Sequence, residues 1–268
     1  WKPKDKRYST IGDLIQKYLQ KVTPHKKGAE PETRRLKRLL KEKLLMSIKL
    51  DEAKPHHFAE FRDTRLQDGN RAAQYDLVLL RAAWNTARID WGWELGDNPL
   101  TLIRFPKSNP PRERRLRQGQ YEQLANACSR NKSWYLWPTI EIAVETCMRR
   151  GEILGLKWEH IDFERSKVLL PDTKNGKSRW VPLSQKVLAI LETLPRNNKR
   201  VFPITDSALR QAWDRLRRRI GIVDLTFHDL RHEAVSRHFE SGLSIPEVMR
   251  ISGHRTAGQL FRYIQLPT

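Results

Sequence analysis

One interruption constrains the fold of this 268-residue chain more than any other feature. Residues 104–117, Arg104-Phe105-Pro106-Lys107-Ser108-Asn109-Pro110-Pro111-Arg112-Glu113-Arg114-Arg115-Leu116-Arg117, break every hydrophobic periodicity with three prolines and a dense run of cations. Proline has no amide hydrogen to give a helix or a sheet, so the stretch reads as an extended linker. The halves on either side follow different patterns. Two domains are expected, each long enough to bury a core of its own.

The first half reads as helical. Ile11, Leu14, Ile15, Tyr18 and Leu19 share one helical stripe behind Thr10, a plausible N-cap. Pro31 opens a basic segment, Arg34-Arg35-Leu36-Lys37-Arg38-Leu39-Leu40-Lys41, with leucines on one side and cations on the other. That cationic side either lies along a phosphate backbone or is a solvated face. Pro55 starts a short helix carrying Phe58 and Phe61, and Leu77, Leu80, Trp84 and Ala87 mark the clearest stripe, closing toward Trp91-Gly92. Four to five helices with short connections predict a compact all-α domain.

The second half is mixed. Ile140, Ala143, Val144 and Cys147 follow helical spacing and lead into Arg149. Lys167–Pro171 and Arg179–Leu183 read as two short strands around Asn175-Gly176, a strong hairpin signal. Helices follow over 184–194 and 206–220, the latter with Leu209, Trp213, Leu216 and Ile220 opposite Arg210, Arg217 and Arg218. Ser244-x-x-Glu247 and Thr256-x-x-Gln259 read as capping boxes opening two last helices. The fold class is mainly α with a small antiparallel β-sheet. The expected organisation is a helical domain over 1–105, a basic linker over 106–117 and an α+β domain over 118–268.

Lys and Arg number 51 against 31 Asp and Glu, a formal charge of +20, which points to a polyanionic partner, with nucleic acid foremost. A basic linker joining two basic domains can track a groove and let them clamp a duplex. Cys128 and Cys147 are too few for a disulfide or zinc framework, and no apolar run approaches the roughly 18 residues of a membrane span. With no secretory signal, a cytoplasmic, nucleoid-associated protein is expected. The first residue is Trp1 rather than Met, so a fragment of a longer protein is expected.

Several residues carry potential chemistry. Arg149 lies where one amphipathic helix ends and the next begins, and its planar fork suits two phosphate oxygens, with Glu152 able to hold it. Taken alone, Arg-x-x-Glu is ordinary helix-surface electrostatics. His228 and Arg231 share one face at the start of a helix, where the backbone carries positive character toward an anion. A metal site at His228, His232 and His238 is disfavoured, because no carboxylate or thiolate partner accompanies them and two arginines would oppose a cation. Lys174 sits on the hairpin arm, where a lone lysine is usually just solvated. His254 follows Gly253, and Tyr263 lies nine residues beyond, where a tyrosine among Phe261, Ile264 and Leu266 is by itself a packing residue.

Taken in order, these residues resemble the tyrosine recombinase (phage integrase) family. The resemblance rests on His228-Asp229-Leu230-Arg231-His232, Gly253-His254, Arg262-Tyr263, and Thr173-Lys174-Asn175 followed by Val181-Pro182-Leu183, and spans essentially the whole chain. It implies an N-terminal core-binding domain that binds DNA and a C-terminal catalytic domain. Arg149, Lys174, His228, Arg231 and His254 would surround a phosphate, with Tyr263 as nucleophile. Cys147 stands where glycine is common, Ser252 where leucine is common and Leu260 where threonine often stands, all expected to be packing positions. Trp91-Gly92, Asn98-Pro99, Glu233–Arg237 and Ile251–Arg255 look closest to shufflon-type DNA invertases and related integrases.

The resemblance implies site-specific strand cleavage and rejoining through a 3′-phosphotyrosyl intermediate, in integration, excision or inversion, with no metal, ATP or other cofactor. Lys174 would be the general acid for the 5′-oxygen, and His228 the proton acceptor or a positioning group. Double-stranded DNA with inverted core repeats would be the substrate of a homotetramer, with DNA-bending accessory proteins as possible partners. Only five residues follow Tyr263, so the segment the family passes to a neighbouring subunit is expected to be truncated. A non-catalytic DNA-binding accessory protein and a type IB topoisomerase are the alternative readings.

Overall fold

Thr10 and Asp13 start the first helix by satisfying each other. The Thr10 hydroxyl accepts from the Asp13 amide at 3.1 Å and the Asp13 carboxylate accepts from the Thr10 amide at 2.9 Å, which occupies two amides that lack intrahelical partners. Helix α1 (Ile11–Lys21) then buries Ile11, Leu14, Ile15 and Tyr18. The computed structural model describes residues 9–110, 112–130, 133–171 and 178–264, and the chain divides into two units, Trp1–Pro111 and Arg112–Thr268.

In the first unit α1 is followed by α2 (Ala29–Leu39), the short α3 (Lys43–Met46), α4 (Pro55–Arg65) and α5 (Asn70–Ile89). The stripe Leu77, Leu80, Trp84 and Ala87 on α5 is buried, and both α1 and α4 pack against this helix. The basic segment of α2 divides three ways. Leu36 and Leu39 enter the core, while Arg34, Lys37 and Lys41 remain exposed. Arg35 and Arg38 turn instead to Asp76 of α5, whose side chain is fully buried. Arg65 of α4 completes the cluster, with Arg35 Nη1 and Arg65 Nε each 2.9 Å from the carboxylate. An ionised carboxylate in an interior is costly unless paired, and here three guanidiniums on two helices offset that cost. Two cations of the basic segment therefore tie α2 to α5 rather than forming an open face.

In the second unit α6 (Gln120–Ser129) leads to α7 (Leu136–Thr146), which is buried on nearly every side and packs against later helices α9 (Gln185–Thr193) and α11 (Asp229–Glu240). A helix apolar all round belongs at the centre of a core. Its buried Glu141 is partnered by the Tyr121 hydroxyl and Lys186, each at 2.5 Å. After α8 (Arg150–Leu154) comes an antiparallel sheet in the order β1 (Ile161–Asp162), β2 (Lys167–Leu170), β3 (Arg179–Pro182). Val168 pairs with Ile161 on one side and Val181 on the other. The two-residue β1 is an addition to the hairpin expected from sequence. Helices α10 (Asp206–Arg219) and α12 (Ile245–Ser252) complete the unit.

One expectation from the sequence is corrected. The Ser244–Glu247 capping box forms at the start of α12, but Thr256–Gln259 does not form one. Gln259 accepts from the Arg255 amide (3.1 Å), and Ala257–Gln259 closes only a 3₁₀ turn that delivers Leu260 into the core. Residues 112–117 of the expected linker carry no helix or strand and are held to the second unit by ion pairs. Arg112 pairs with Asp229 (3.0 Å), Arg114 with Asp224 (2.9 Å), and Arg115 with Glu233 (3.2 Å) and Glu240 (2.6 Å). Carboxylates spaced along α11 and the segment before it thus take up the cations.

Replacing Asp76 by Ala leaves three arginines converging on an empty buried position. The expected result is a loss of about 3 kcal/mol in the unfolding free energy of the first unit. Urea denaturation measures it, and a change below about 0.5 kcal/mol would contradict the assigned role.

Candidate active site

The site begins where α7 stops. Cys147 adopts a left-handed conformation (φ 56°), which turns the chain sharply and places Arg149 at the N-cap of α8. Glycine adopts such a conformation without strain, whereas Cys147 adopts it at a cost. The buried Cys147 side chain packs with Ala234, Val235, Val248 and Leu260. Burial pushes its thiol up to about 12, so it stays protonated.

Glu152 organises the first two cations. Its carboxylate accepts from the Arg149 amide (2.8 Å) and from Arg149 Nη1 (2.9 Å). The same carboxylate takes a two-pronged contact from Arg179, at 3.1 and 2.8 Å. Burial alone would raise the Glu152 carboxyl, but the hydrogen bonds from Arg179 and Arg149 hold it below its ordinary value. Arg179 shares the inward face of β3 with Val181, since alternate residues of a strand point the same way. Its Nε also donates to the Ile251 carbonyl at 2.9 Å, joining the sheet to α12. Gly253 makes that approach possible. It is left-handed at φ 71°, and a Cβ there would lie 3.0 Å from the Arg179 guanidinium.

Arg231 is the most enclosed cation of the group. It donates to the Cys147 carbonyl and, at 2.8 Å, to the Ser252 carbonyl. Burial, with Arg149 nearby, lowers its guanidinium to about 10, so it remains charged at neutral pH. Its Nη2 lies 3.4 Å from His254 Nε2. The Ser252 hydroxyl donates to the Val248 carbonyl (2.6 Å) and so has a lone pair left for His254 Nδ1, also at 2.6 Å. His254 is thereby held as the Nδ1–H tautomer with Nε2 turned toward Arg231. Ser252, expected only to pack, orients this imidazole. Burial first, then Arg231 and Arg149, depress His254 to about 3.

His228 occupies the N-cap of α11, and its ring meets that of His232 edge-on at 5.0 Å. Although the residue keeps an exposed edge, desolvation of its ring and the Arg231 charge lower its pKa. Tyr263 closes the cluster from the 3₁₀ turn Phe261–Tyr263. Its ring centroid is 6.4 Å from that of His254 and 5.4 Å from that of His232, and its hydroxyl meets His232 Nδ1 and accepts from Arg262 Nη2 at 2.9 Å. Burial raises the phenol above its ordinary value.

Of the residues singled out from sequence, Arg149, His228, Arg231, His254 and Tyr263 come together, and Lys174 lies outside the described residues. Sequence reasoning left His232, Arg179 and Ser252 out of the site. His232 was visible inside the His-Asp-Leu-Arg-His box, and Arg179 could have been found from its register with Val181. Ser252 gave no signal beyond its place before Gly253-His254. Among the described residues no group of His, Cys, Asp or Glu is arranged to hold a metal, and no helix is long and apolar enough to cross a membrane.

A half-buried phenol beside fixed guanidiniums and imidazoles is an arrangement chemically able to hold an anion and to stabilise charge growing on it. The chain belongs to the phage integrase family, whose model matches residues 114–268. It is 39% identical to a shufflon-specific DNA recombinase of Escherichia coli, over 97% of this chain and 70% of that protein. A putative integrase/recombinase of Haemophilus influenzae is 33% identical over 92% of this chain and 70% of its own length. The fold is shared with the Tn1549 transposon integrase in complex with transposon right-end DNA, at TM-score 0.78 and 19% identity, covering 97% of this chain and 96% of that one. It is also shared with a lambda integrase in a tetramer bound to a Holliday junction, at TM-score 0.76 and 19% identity, covering 94% and 80% of the two chains.

The depressed imidazoles have a consequence for stability. His232 (about 4) and His254 (about 3) are neutral when folded but protonate near 6.5 when unfolded. Below that value the unfolded chain binds more protons, so their contribution is intact above pH 6.5 and is lost as pH falls toward 4. Urea midpoints are expected to drop between pH 7 and pH 5 and to drop less in His254→Gln. An equal drop in both proteins would contradict a neutral, half-buried His254.

Proposed function

We propose that this member of the phage integrase family is a tyrosine-type site-specific DNA recombinase in which Tyr263 attacks the scissile phosphodiester. The observation that carries the reading is the convergence of Arg231, His254 and Tyr263 near Arg149, which Glu152 holds, within a chain of net charge +20. An unperturbed phenol has a pKa near 10, so it must give up its proton as it attacks phosphorus. Arg149 and Arg231 neutralise charge building on the non-bridging oxygens, and being fixed in advance they need no reorganisation. His254 contributes at the same oxygens as the imidazolium, because a bound phosphate's negative charge favours protonation of Nε2, which then donates to it. Lys174 supplies the proton for the departing 5′-oxygen, and the 3′-phosphotyrosyl link conserves the bond energy for rejoining.

The helical unit and the segment up to residue 117 serve as the DNA-binding domain and linker, while the second unit is catalytic. Double-stranded DNA with inverted core repeats is the substrate. Four protomers assemble on two duplexes in the cytoplasm, at the nucleoid, as the lambda integrase tetramer on a Holliday junction suggests. The similarity to a shufflon-specific recombinase favours inversion among the possible outcomes.

The test uses a duplex selected from a random pool by binding to the Tyr263→Phe protein, then rebuilt with a nick that traps cleavage. The unaltered chain is expected to form a covalent adduct in EDTA, while Tyr263→Phe binds equally well and forms none. An adduct that survives the substitution removes Tyr263 as nucleophile. Binding should also weaken steeply with salt, the logarithmic slope being about −0.9 per phosphate neutralised. A flat response would contradict the phosphate-tracking role of the basic surfaces.

A further inference from the structure

We propose that His232, rather than His228, is the general base that takes the proton from Tyr263. This rests on the reading of Tyr263 as nucleophile. His232 Nδ1 is in hydrogen-bond contact with the Tyr263 hydroxyl, and the two rings stack with centroids 5.4 Å apart and planes 29° from parallel. The direction of that hydrogen bond follows from the other partner of the same oxygen. Arg262 Nη2 lies 2.9 Å away, and a guanidinium only donates. The phenol's single hydrogen is therefore free for His232, whose Nδ1 accepts it as the Nε2–H tautomer. His228 is one step removed, its ring 5.0 Å from that of His232 and perpendicular to it. His254 has its Nδ1 committed to Ser252, with its ring 6.4 Å from the phenol.

The surroundings keep the ring free to accept a proton. Burial, and then His228 and Arg262, depress His232 to about 4, so at neutral pH it is unprotonated. The Arg262 guanidinium also lies 4.9 Å over the phenol ring, where it favours the negative charge that grows on the oxygen. His232 and Tyr263 line one cavity of about 90 Å³ together with Arg112, Arg115 and Arg262.

The step balances without a further reactant. The Tyr263 oxygen–phosphorus bond forms, the bond from phosphorus to the 5′-oxygen breaks, and the phenol proton passes to His232 Nδ1. The leaving 5′-oxygen takes its proton from a separate acid, which the reading above assigns to Lys174. On rejoining, the imidazolium returns its proton to the departing phenolate. Positive charge on His232 is tolerated in the interval because the phosphodiester anion is then present beside it.

The experiment is single-turnover cleavage of the nicked duplex described above, with Tyr263→Phe as the blank. In His232→Asn the side-chain amide keeps a hydrogen-bond acceptor near the Nδ1 position but cannot take up a proton. Cleavage is expected to slow by about 10²- to 10⁴-fold with DNA binding unchanged. Placing 3,5-difluorotyrosine at position 263, whose phenol ionises more readily, is expected to restore much of the rate in His232→Asn and to change the otherwise unaltered chain little. A 5′-bridging phosphorothiolate substrate, whose leaving group needs no acid, should leave the His232→Asn defect in place. Should His232→Asn fail to bind DNA, His232→Ala assayed with and without added imidazole carries the same test, with recovery expected.

His232→Asn cleaving at the parental rate would overturn the proposal. So would a defect relieved by the phosphorothiolate but not by the fluorinated tyrosine, since His232 would then act on the leaving group. Absence of any adduct in the unaltered chain would instead overturn the nucleophile assignment beneath it.

Discussion

The buried guanidinium of Arg231 is the point on which the second unit's site depends. It belongs to α11, yet it donates to a carbonyl at the α7–α8 turn and to another at the end of α12. Three segments distant in sequence are thereby held at one set of donor positions. Its desolvation is offset by two backbone carbonyls and not by a carboxylate, so its charge is left available for an incoming anion. Glu152 does the complementary task for Arg149. That carboxylate is shared with Arg179, which keeps Arg149 oriented while leaving the pair of arginines with net positive charge.

The arrangement explains why the imidazoles are neutral in the absence of DNA. Each lies among guanidiniums in a desolvated setting, which disfavours protonation. A neutral His232 can accept a proton, and His254 held by Ser252 has its Nε2 directed to the place where Arg231 would meet a phosphate. On the proposed function, a phosphodiester bound there would place negative charge beside these groups. Arg149 and Arg231 are held in place by protein groups, so on the proposed function they would meet charge developing during reaction without reorganising.

Much of this was legible in the sequence because it is local. The α5 stripe of Leu77, Leu80, Trp84 and Ala87 is buried as its period requires, and Ser244 with Glu247 caps α12. Arg149, His228, Arg231, His254 and Tyr263 could be singled out because family resemblance links positions that periodicity cannot. The pairings with no mark in the sequence are long-range. Arg35 and Arg38 reach Asp76 across about forty residues, Arg112 and Arg115 reach α11 across more than a hundred, and Arg179 reaches Glu152 from another element. A cation in a basic run carries no local mark of whether it faces solvent or a buried carboxylate. The Thr256–Gln259 pattern failed for the opposite reason, since its local signal was present but the chain turns inward at Leu260 after a single 3₁₀ turn.

The central claim is that Tyr263 forms the bond to DNA inside the pocket organised by Arg231. Peptide mapping by mass spectrometry of the trapped protein–DNA adduct tests it most directly. The account predicts one modified peptide, with a 3′-phosphorylated nucleotide esterified to Tyr263. Linkage through any other residue, or through a 5′-phosphate, would contradict it.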